Sequence, residues 1–254
     1  MSGHSKWSTI KRKKGAADAK RGKLFTRLLR EVTVAARLDG GDATANPRLR
    51  AAVQDARANN VPLDKIDRAI KKGTGELEGE IVEEVTYEGY GPGGIAVLVE
   101  AMTDNRNRTV SEVRHQFSRH GGNLGENGCV SYLFEKRGYI LIEPEAMGEE
   151  EFMELAIELP VEDFETEKGG YEIFTAPEAY DAVRQSLAER EVPVAVGEVA
   201  MIPTSWAEVP DGKVPQALRF MEALEELDDV QQVWTNFAAD DDAPGAAAGS
   251  GEAG

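Results

Sequence analysis

The 254-residue chain holds one cysteine and three histidines. A single cysteine excludes an internal disulfide framework, and with so few histidines it is poor material for a structural zinc site. Long apolar runs are missing as well. The longest, residues 95–99 (Ile-Ala-Val-Leu-Val), is far short of the ~20 residues a membrane-spanning helix needs. The first residues contain no apolar stretch of the kind that marks a secretory signal. Glycine (26) and proline (11) are too few and too scattered for a collagen or a wholly disordered chain. Neither G-x-x-x-x-G-K-[ST] nor a G-x-G-x-x-G opening a helix occurs. A reducing cytoplasm is the compartment these absences predict. What is present is 41% hydrophobic, enough for real cores in one to three domains.

The net charge of −17 hides a division. Residues 1–72 hold 18 Lys/Arg against 7 Asp/Glu, a surplus of +11, whereas the remaining 182 hold 11 against 39, or −28. A basic segment attracts polyanions and an acidic body repels them. Residues 2–16 (SGHSKWSTIKRKKGA) place Lys6, Lys11, Arg12, Lys13 and Lys14 ahead of any acid, with Trp7 and Ile10 as the only large apolar side chains. Such an arm is too polar to form a core alone and is expected to be mobile without a partner. Trp7 is suited either to stack on a base or ribose or to lid a neighbouring core.

A helix over about residues 18–38 follows, with Leu24, Phe25, Leu28, Leu29, Val32, Ala35 and Ala36 as its apolar stripe and Lys20, Arg21, Lys23, Arg27, Arg30 and Arg37 on its other surface. Asn46-Pro47 reads as an N-cap with proline at N1. Val61-Pro62 opens a third helix with Leu63, Ile66 and Ile70 inward. Charged residues on a helix are usually just solvated; a merely soluble helix, however, mixes signs, and this segment does not. The imbalance points to a basic three-helix domain, residues 1–78, that binds nucleic acid.

From residue 83 the pattern becomes mixed. Strands are expected near residues 85–88, 95–99 and 130–134, with a helix between the last two opened by a Thr109–Glu112 capping box, then a late helix around Ala217, Phe220, Met221 and Leu224 and a strand over residues 230–237. Between these, residues 136–206 read β-α-β-β-α-β, the split order that lays two helices on one antiparallel sheet. Its second helix is announced by a Thr175–Glu178 capping box. The expectation is an α+β protein of three domains: the helical one, a discontinuous α/β domain (79–135 and 207–238), and a ferredoxin-like α/β domain inserted into it (136–206). Residues 239–254 have the composition of a disordered acidic tail.

No catalytic set emerges. Cys129 beside Val130 reads as a small buried hydrophobe without a base, and His115 and His120 are five apart, which is not a helical ligand spacing. No metal, cofactor, small-molecule substrate or membrane partner is implied. Tyr90, Gly91, Pro92, Gly93 and Gly94 form a turn-rich loop with no lysine after it, by default a hairpin connection and by candidacy a nucleic-acid contact. Thr103-Asp104-Asn105-Arg106-Asn107-Arg108-Thr109 runs into a helix N-terminus, where Arg106 and Arg108 would either strengthen an anion site or pair with local acids such as Asp104. A phosphate-handling enzyme built on these arginines and the glycine loop would lack a base, a nucleophile and metal ligands.

Several long segments, in order and at natural spacing over residues 2–237, resemble the YebC/PmpR family: Gly3-His4-Ser5-Lys6-Trp7, Lys20-Arg21-Gly22-Lys23, Ala45-Asn46-Pro47-Arg48-Leu49-Arg50, Tyr87-Glu88-Gly89-Tyr90-Gly91-Pro92-Gly93-Gly94, the 103–109 segment, and His120-Gly121-Gly122-Asn123-Leu124-Gly125. A mitochondrial translational activator of cytochrome oxidase is related. The resemblance implies three domains, no enzyme activity, and two functional labels. One is a DNA-binding transcriptional regulator. The other is a ribosome-associated translation factor that binds ribosomal RNA and aids synthesis of proline-rich sequences. The acidic tail is a departure from the family, as is Lys13-Lys14, where many members carry a histidine nearby. Both DNA and ribosomal RNA offer a chain of phosphates, and charge does not separate them; two acidic domains would repel a long duplex lying across them.

Overall fold

The computed structural model describes residues 19–79, 81–167 and 170–238. The cationic arm and the acidic tail lie outside these residues. The described chain forms two compact units, one containing residues 19–131 and 207–238, the other Tyr132–Trp206.

The first unit opens with three helices, α1 (Ala19–Asp39), α2 (Pro47–Ala58) and α3 (Leu63–Gly73). Buried Asn46 makes the corner between α1 and α2. Its side-chain carbonyl accepts from the Leu49 N–H (2.9 Å), and its amide donates to the Ala35 and Gly40 carbonyls (2.8 and 2.9 Å). Pro47 sits at N1, where a helix has no use for an N–H. The facing surfaces are rich in alanine (35, 36, 52, 56 and 69) around Leu49 and Ile66, so the helices approach closely. A Cβ on Gly73 would stand 2.4 Å from the Thr33 carbonyl oxygen. Leu63, expected inside, is 59% exposed: it opens α3, and the inward position at that end is held by Val61 from the loop before it.

The same unit continues with β1 (Glu83–Tyr90), β2 (Ala96–Thr103), α4 (Arg106–Arg119) and the short β3 (Asn123–Leu124). After the second unit the chain returns through β8 (Ala207–Glu208), α7 (Val214–Glu225), β9 (Val230–Thr235) and β10 (Phe237–Ala238). The antiparallel sheet runs β3-β1-β2-β9. Val85 faces Ala101 and Tyr87 faces Val99 in register, and this row packs against Val113 and Phe117 of α4 and Ala217, Phe220, Met221 and Leu224 of α7. Phe117 and Phe220 meet edge to face at 4.9 Å.

Two local expectations are corrected here. The alternation of Val130, Tyr132 and Phe134 suggests a strand of this sheet, but Ser131–Leu133 is a 3-10 turn and the sheet edge belongs to β3. The reason lies in Glu88, a buried carboxylate that accepts the N–H groups of Gly128, Val130 and Ser131 at 2.8, 2.9 and 2.8 Å. Amides capped by a side chain are not available to a ladder. Likewise Thr109 does not cap α4. Asn105 does, its side chain accepting from the Arg108 N–H at 3.1 Å. At the return of the chain, Asn236 ties the ends together: its side chain accepts from the Ala96 N–H (2.8 Å) and its carbonyl from the Ala207 N–H (2.9 Å).

The second unit holds β4 (Phe134–Ile142), α5 (Glu149–Glu158), β5 (Asp163–Glu167), β6 (Gly170–Thr175), α6 (Tyr180–Glu189) and β7 (Val196–Pro203), the β-α-β-β-α-β order read from the sequence, in a sheet β5-β6-β4-β7. Ile140, Ile142, Tyr171 and Ile173 pack against Phe152, Leu155, Val183 and Leu187 of the two helices. The Thr175–Glu178 box does not form. Thr175 stays in β6 opposite Gly138, its hydroxyl bonded to the Ala176 carbonyl, and a 3-10 turn (Pro177–Ala179) precedes α6. The protein is thus a helical N-terminal region followed by two α/β sheet domains.

Candidate nucleic-acid interface

Of the expected contact residues, Lys6, Trp7, Lys11, Arg12, Lys13 and Lys14, and the side chains of Lys20 and Arg21, lie outside the described residues. Lys23, Arg27 and Arg30 are described, and their neighbours are protein oxygens. At steps of four and three they share one face of α1, and that face meets the C-terminal end of α7. The Lys23 ammonium donates to the Glu226 carbonyl (2.5 Å) and lies 3.6 Å from the Asp228 carboxylate. Arg27 donates to the Glu225 carbonyl and Arg30 to the Asp228 carbonyl. Arg30 also pairs with Asp229 at 2.8 Å. The last carbonyls of a helix have no partner within it and carry the negative end of its dipole, so three cations are well placed there. Burial pushes the Arg27 guanidinium below its ordinary value, against the pull of Glu225 and Asp228.

Arg106 and Arg108 also have acidic neighbours. Arg106, 63% exposed, pairs with Glu83 at 2.5 Å. Arg108 pairs with Asp104 (2.7 Å) and Asp229 (2.8 Å), and hydrogen bonds to Asp229 and then Asp104 raise its pKa further. Asp229 is the centre of this region. It is 1% exposed, and it accepts from the hydroxyls of Thr109 (2.6 Å) and Thr103 (3.1 Å) as well as from Arg108 and Arg30. Burial alone would raise its pKa; the Thr109 hydroxyl and the two guanidiniums outweigh that and hold it below the usual carboxylate range. The anion expected at the start of α4 is supplied by the chain itself.

The loop of Tyr90, Gly91, Pro92, Gly93 and Gly94 joins β1 to β2 and is packed from beneath. A Cβ on Gly91 would meet Phe220 at 2.7 Å, Pro92 is buried, and Gly93, at φ 81°, lies against Val209. Tyr90 and Gly94 are the exposed members. The Tyr90 hydroxyl donates to the Cys129 carbonyl (3.2 Å), and the tight backbone of Gly121-Gly122 abuts Tyr90, where a Cβ on Gly122 would stand 2.6 Å from its carbonyl oxygen. Burial, with help from Glu88, pushes the Cys129 thiol up, away from the reactive thiolate. Among the described residues no group of three or more His, Cys, Asp or Glu could hold a metal ion, and no helix is long and apolar enough to cross a membrane.

The residues missed in the sequence lie on α3. Lys65, Arg68 and Lys72, at steps of three and four, share one face, with Lys71 beside them; all four are exposed. None has an ion-pair partner among the described residues, and the same holds for Arg37 and Arg57 at the ends of α1 and α2. The row spans about 10 Å at ~1.5 Å per residue. Its signal was within reach, since helical spacing applies to cations as it does to apolar residues.

The described residues place a basic helical region ahead of an acidic body of two sheet domains. Residues 5–76 match the family described as the TACO1/YebC protein N-terminal domain, and residues 82–237 match the TACO1/YebC second and third domain. The chain belongs to the TACO1/YebC family. Similar proteins named "Probable transcriptional regulatory protein" include one from Syntrophus aciditrophicus, 55% identical over 95% of this chain and 97% of the relative. Another, from Geobacter sulfurreducens, is 54% identical over 93% of this chain and 96% of the relative. The crystal structure of a conserved hypothetical protein from Aquifex aeolicus superposes with a TM-score of 0.77 at 51% identity, covering 87% of this chain and 91% of that one.

Proposed function

We propose that this protein is a non-enzymatic, cytoplasmic regulator of gene expression that holds the sugar-phosphate backbone of nucleic acid, as a DNA-binding transcriptional regulator. The contact is made by the cationic arm (Lys6, Trp7, Lys11, Arg12, Lys13, Lys14), continued through Lys20 and Arg21 and joined by Lys65, Arg68 and Lys72 of α3. The observation that carries this reading is the cationic row of α3, without an ion-pair partner among the described residues, within a first 72 residues of charge +11 ahead of a remainder of −28. The names of the relatives support the transcriptional label. Lys23, Arg27, Arg30, Arg106 and Arg108 enter only as second-line contacts, because protein oxygens already surround them.

A second reading, binding of structured ribosomal RNA in translation, draws support from the acidic body, which repels a long duplex lying along it but tolerates a local contact at the basic end. Affinity measured against salt separates the two. On the first reading, duplex DNA binds with log K falling by about 0.9 per log unit of salt for each phosphate held, and replacing Lys11, Arg12, Lys13 and Lys14 by Ala flattens the line. Salt-insensitive or undetectable binding to DNA, with tight association with ribosomes at low salt, would favour the second reading. Failure with both would reject the shared claim.

A further inference from the structure

The clamp between α1 and residues 225–229 has the composition of a stand-in for nucleic acid. Four of the five residues (Glu225, Glu226, Asp228, Asp229) are acidic, and together they present main-chain carbonyls and carboxylates to the three cations of one helix face. Three features make the contact separable. First, the apolar cluster of the helical domain and that of the first sheet share no residue, so each keeps its own core when they part; buried Val34 on the same α1 face and the Arg48–Glu84 ion pair (2.6 Å) are the other ties between them. Second, the α7 side is complete without α1: Asp229 keeps Arg108, Thr103 and Thr109 when Arg30 leaves. Third, the α1 side is underserved. The Arg27 Nε is buried and has no acceptor among the described residues, and the hydrogen bond from its Nη2 runs to a neutral carbonyl, that of Glu225. A phosphate would give the same guanidinium a charged, two-point partner, the stronger kind of hydrogen bond.

We propose that residues 225–229 act as an intramolecular competitor for phosphate, so that Lys23, Arg27 and Arg30 reach a nucleic-acid backbone only when the helical domain lets go of the end of α7. This rests on the reading of the protein as a nucleic-acid binder and adds a latch to it. The latch makes affinity depend on a segment about 200 residues away in sequence from the cations it covers.

The test uses the full chain and two probes, a 30-base-pair duplex DNA and a 30-nucleotide single-stranded RNA, which separate the two sources of phosphate. Amide hydrogen exchange is followed at residues 225–230 with each probe at saturation; the latch predicts at least severalfold faster exchange with whichever probe binds. Asp228→Lys, which repels Lys23 and Arg30 from a site 74% exposed, is compared with Asp211→Lys, the same charge change near the other end of α7. The former is expected to tighten binding about tenfold more than the latter and to steepen the salt dependence by about 0.9 for each phosphate gained. Arg27→Ala then weakens binding in the Asp228→Lys protein more than in the native one. Unchanged or slower exchange at residues 225–230 under saturation, or equal effects of the two lysine variants, overturns the latch alone. Absence of binding by every protein to both probes overturns the underlying reading and the latch with it.

Discussion

Lys23, Arg27 and Arg30 follow one face of α1 at steps of four and three; Lys65, Arg68 and Lys72 follow one face of α3 at steps of three and four. The α1 row is closed against carbonyls and carboxylates at the end of α7, and the α3 row has no carboxylate partner among the described residues. Nothing local distinguishes the two. The difference is what lies across from each helix, and it shows that a cation's task is set by the nearest unsatisfied oxygen, whichever molecule supplies it. Charge surplus therefore does not by itself tell which cations are left for a partner and which serve the chain's own oxygens.

The comparison can be pressed hardest at Asp229, where the α1 row is anchored. Asp229→Ala removes the acceptor shared by Arg108, Arg30, Thr103 and Thr109 and is expected to cost about 1–3 kcal/mol, as leaving buried donors unsatisfied does, read as a lower denaturant midpoint. Lys65→Ala, Arg68→Ala and Lys72→Ala combined should do the opposite: stability within ~0.5 kcal/mol of native at each exposed site, but a log K–log salt slope for duplex DNA shallower by up to ~2.7. An unchanged slope would mean that the α3 row is only a solvated face. The pH dependence sharpens the anchor further. Asp229 is held below the ordinary carboxylate value, so its stabilisation is fully present above the unfolded-chain pKa of ~3.9 and is lost as pH falls through the lower folded value. Denaturation from pH 7 to pH 2 should therefore show the gap between the native protein and Asp229→Asn narrowing only in acid. The smallest effect belongs to Lys23→Ala, whose half-exposed ammonium contributes a few tenths of a kcal/mol to stability; a loss above ~1 kcal/mol would show that the rim of the clamp matters as much as its centre.

Much of this architecture was legible. Asn46-Pro47 announced a helix start because cap and proline act within four residues, and the ferredoxin-like order of the second unit followed from strands and helices that alternate cleanly. The failures share a cause. Thr109 with Glu112 satisfies a local capping rule, yet the Thr109 hydroxyl serves Asp229, 120 residues on, and Asn105 takes the cap. Val130, Tyr132 and Phe134 alternate like a strand, yet Glu88 removes their neighbouring amides from any ladder. Within the candidate site the sign of the charge was readable, but the acids at residues 225–229 that occupy α1 were not, since no spacing rule connects positions about 200 apart.

The Glu88 carboxylate and the Asn236 amide stand at the two places where the chain departs from the first sheet and rejoins it. Each anchors main chain to β1 or β2 without calling on anything between residues 132 and 206. A host whose doorway is bolted on both jambs does not depend on the guest for its own closure. The first sheet is thereby fastened on both sides of the inserted stretch by side chains of its own.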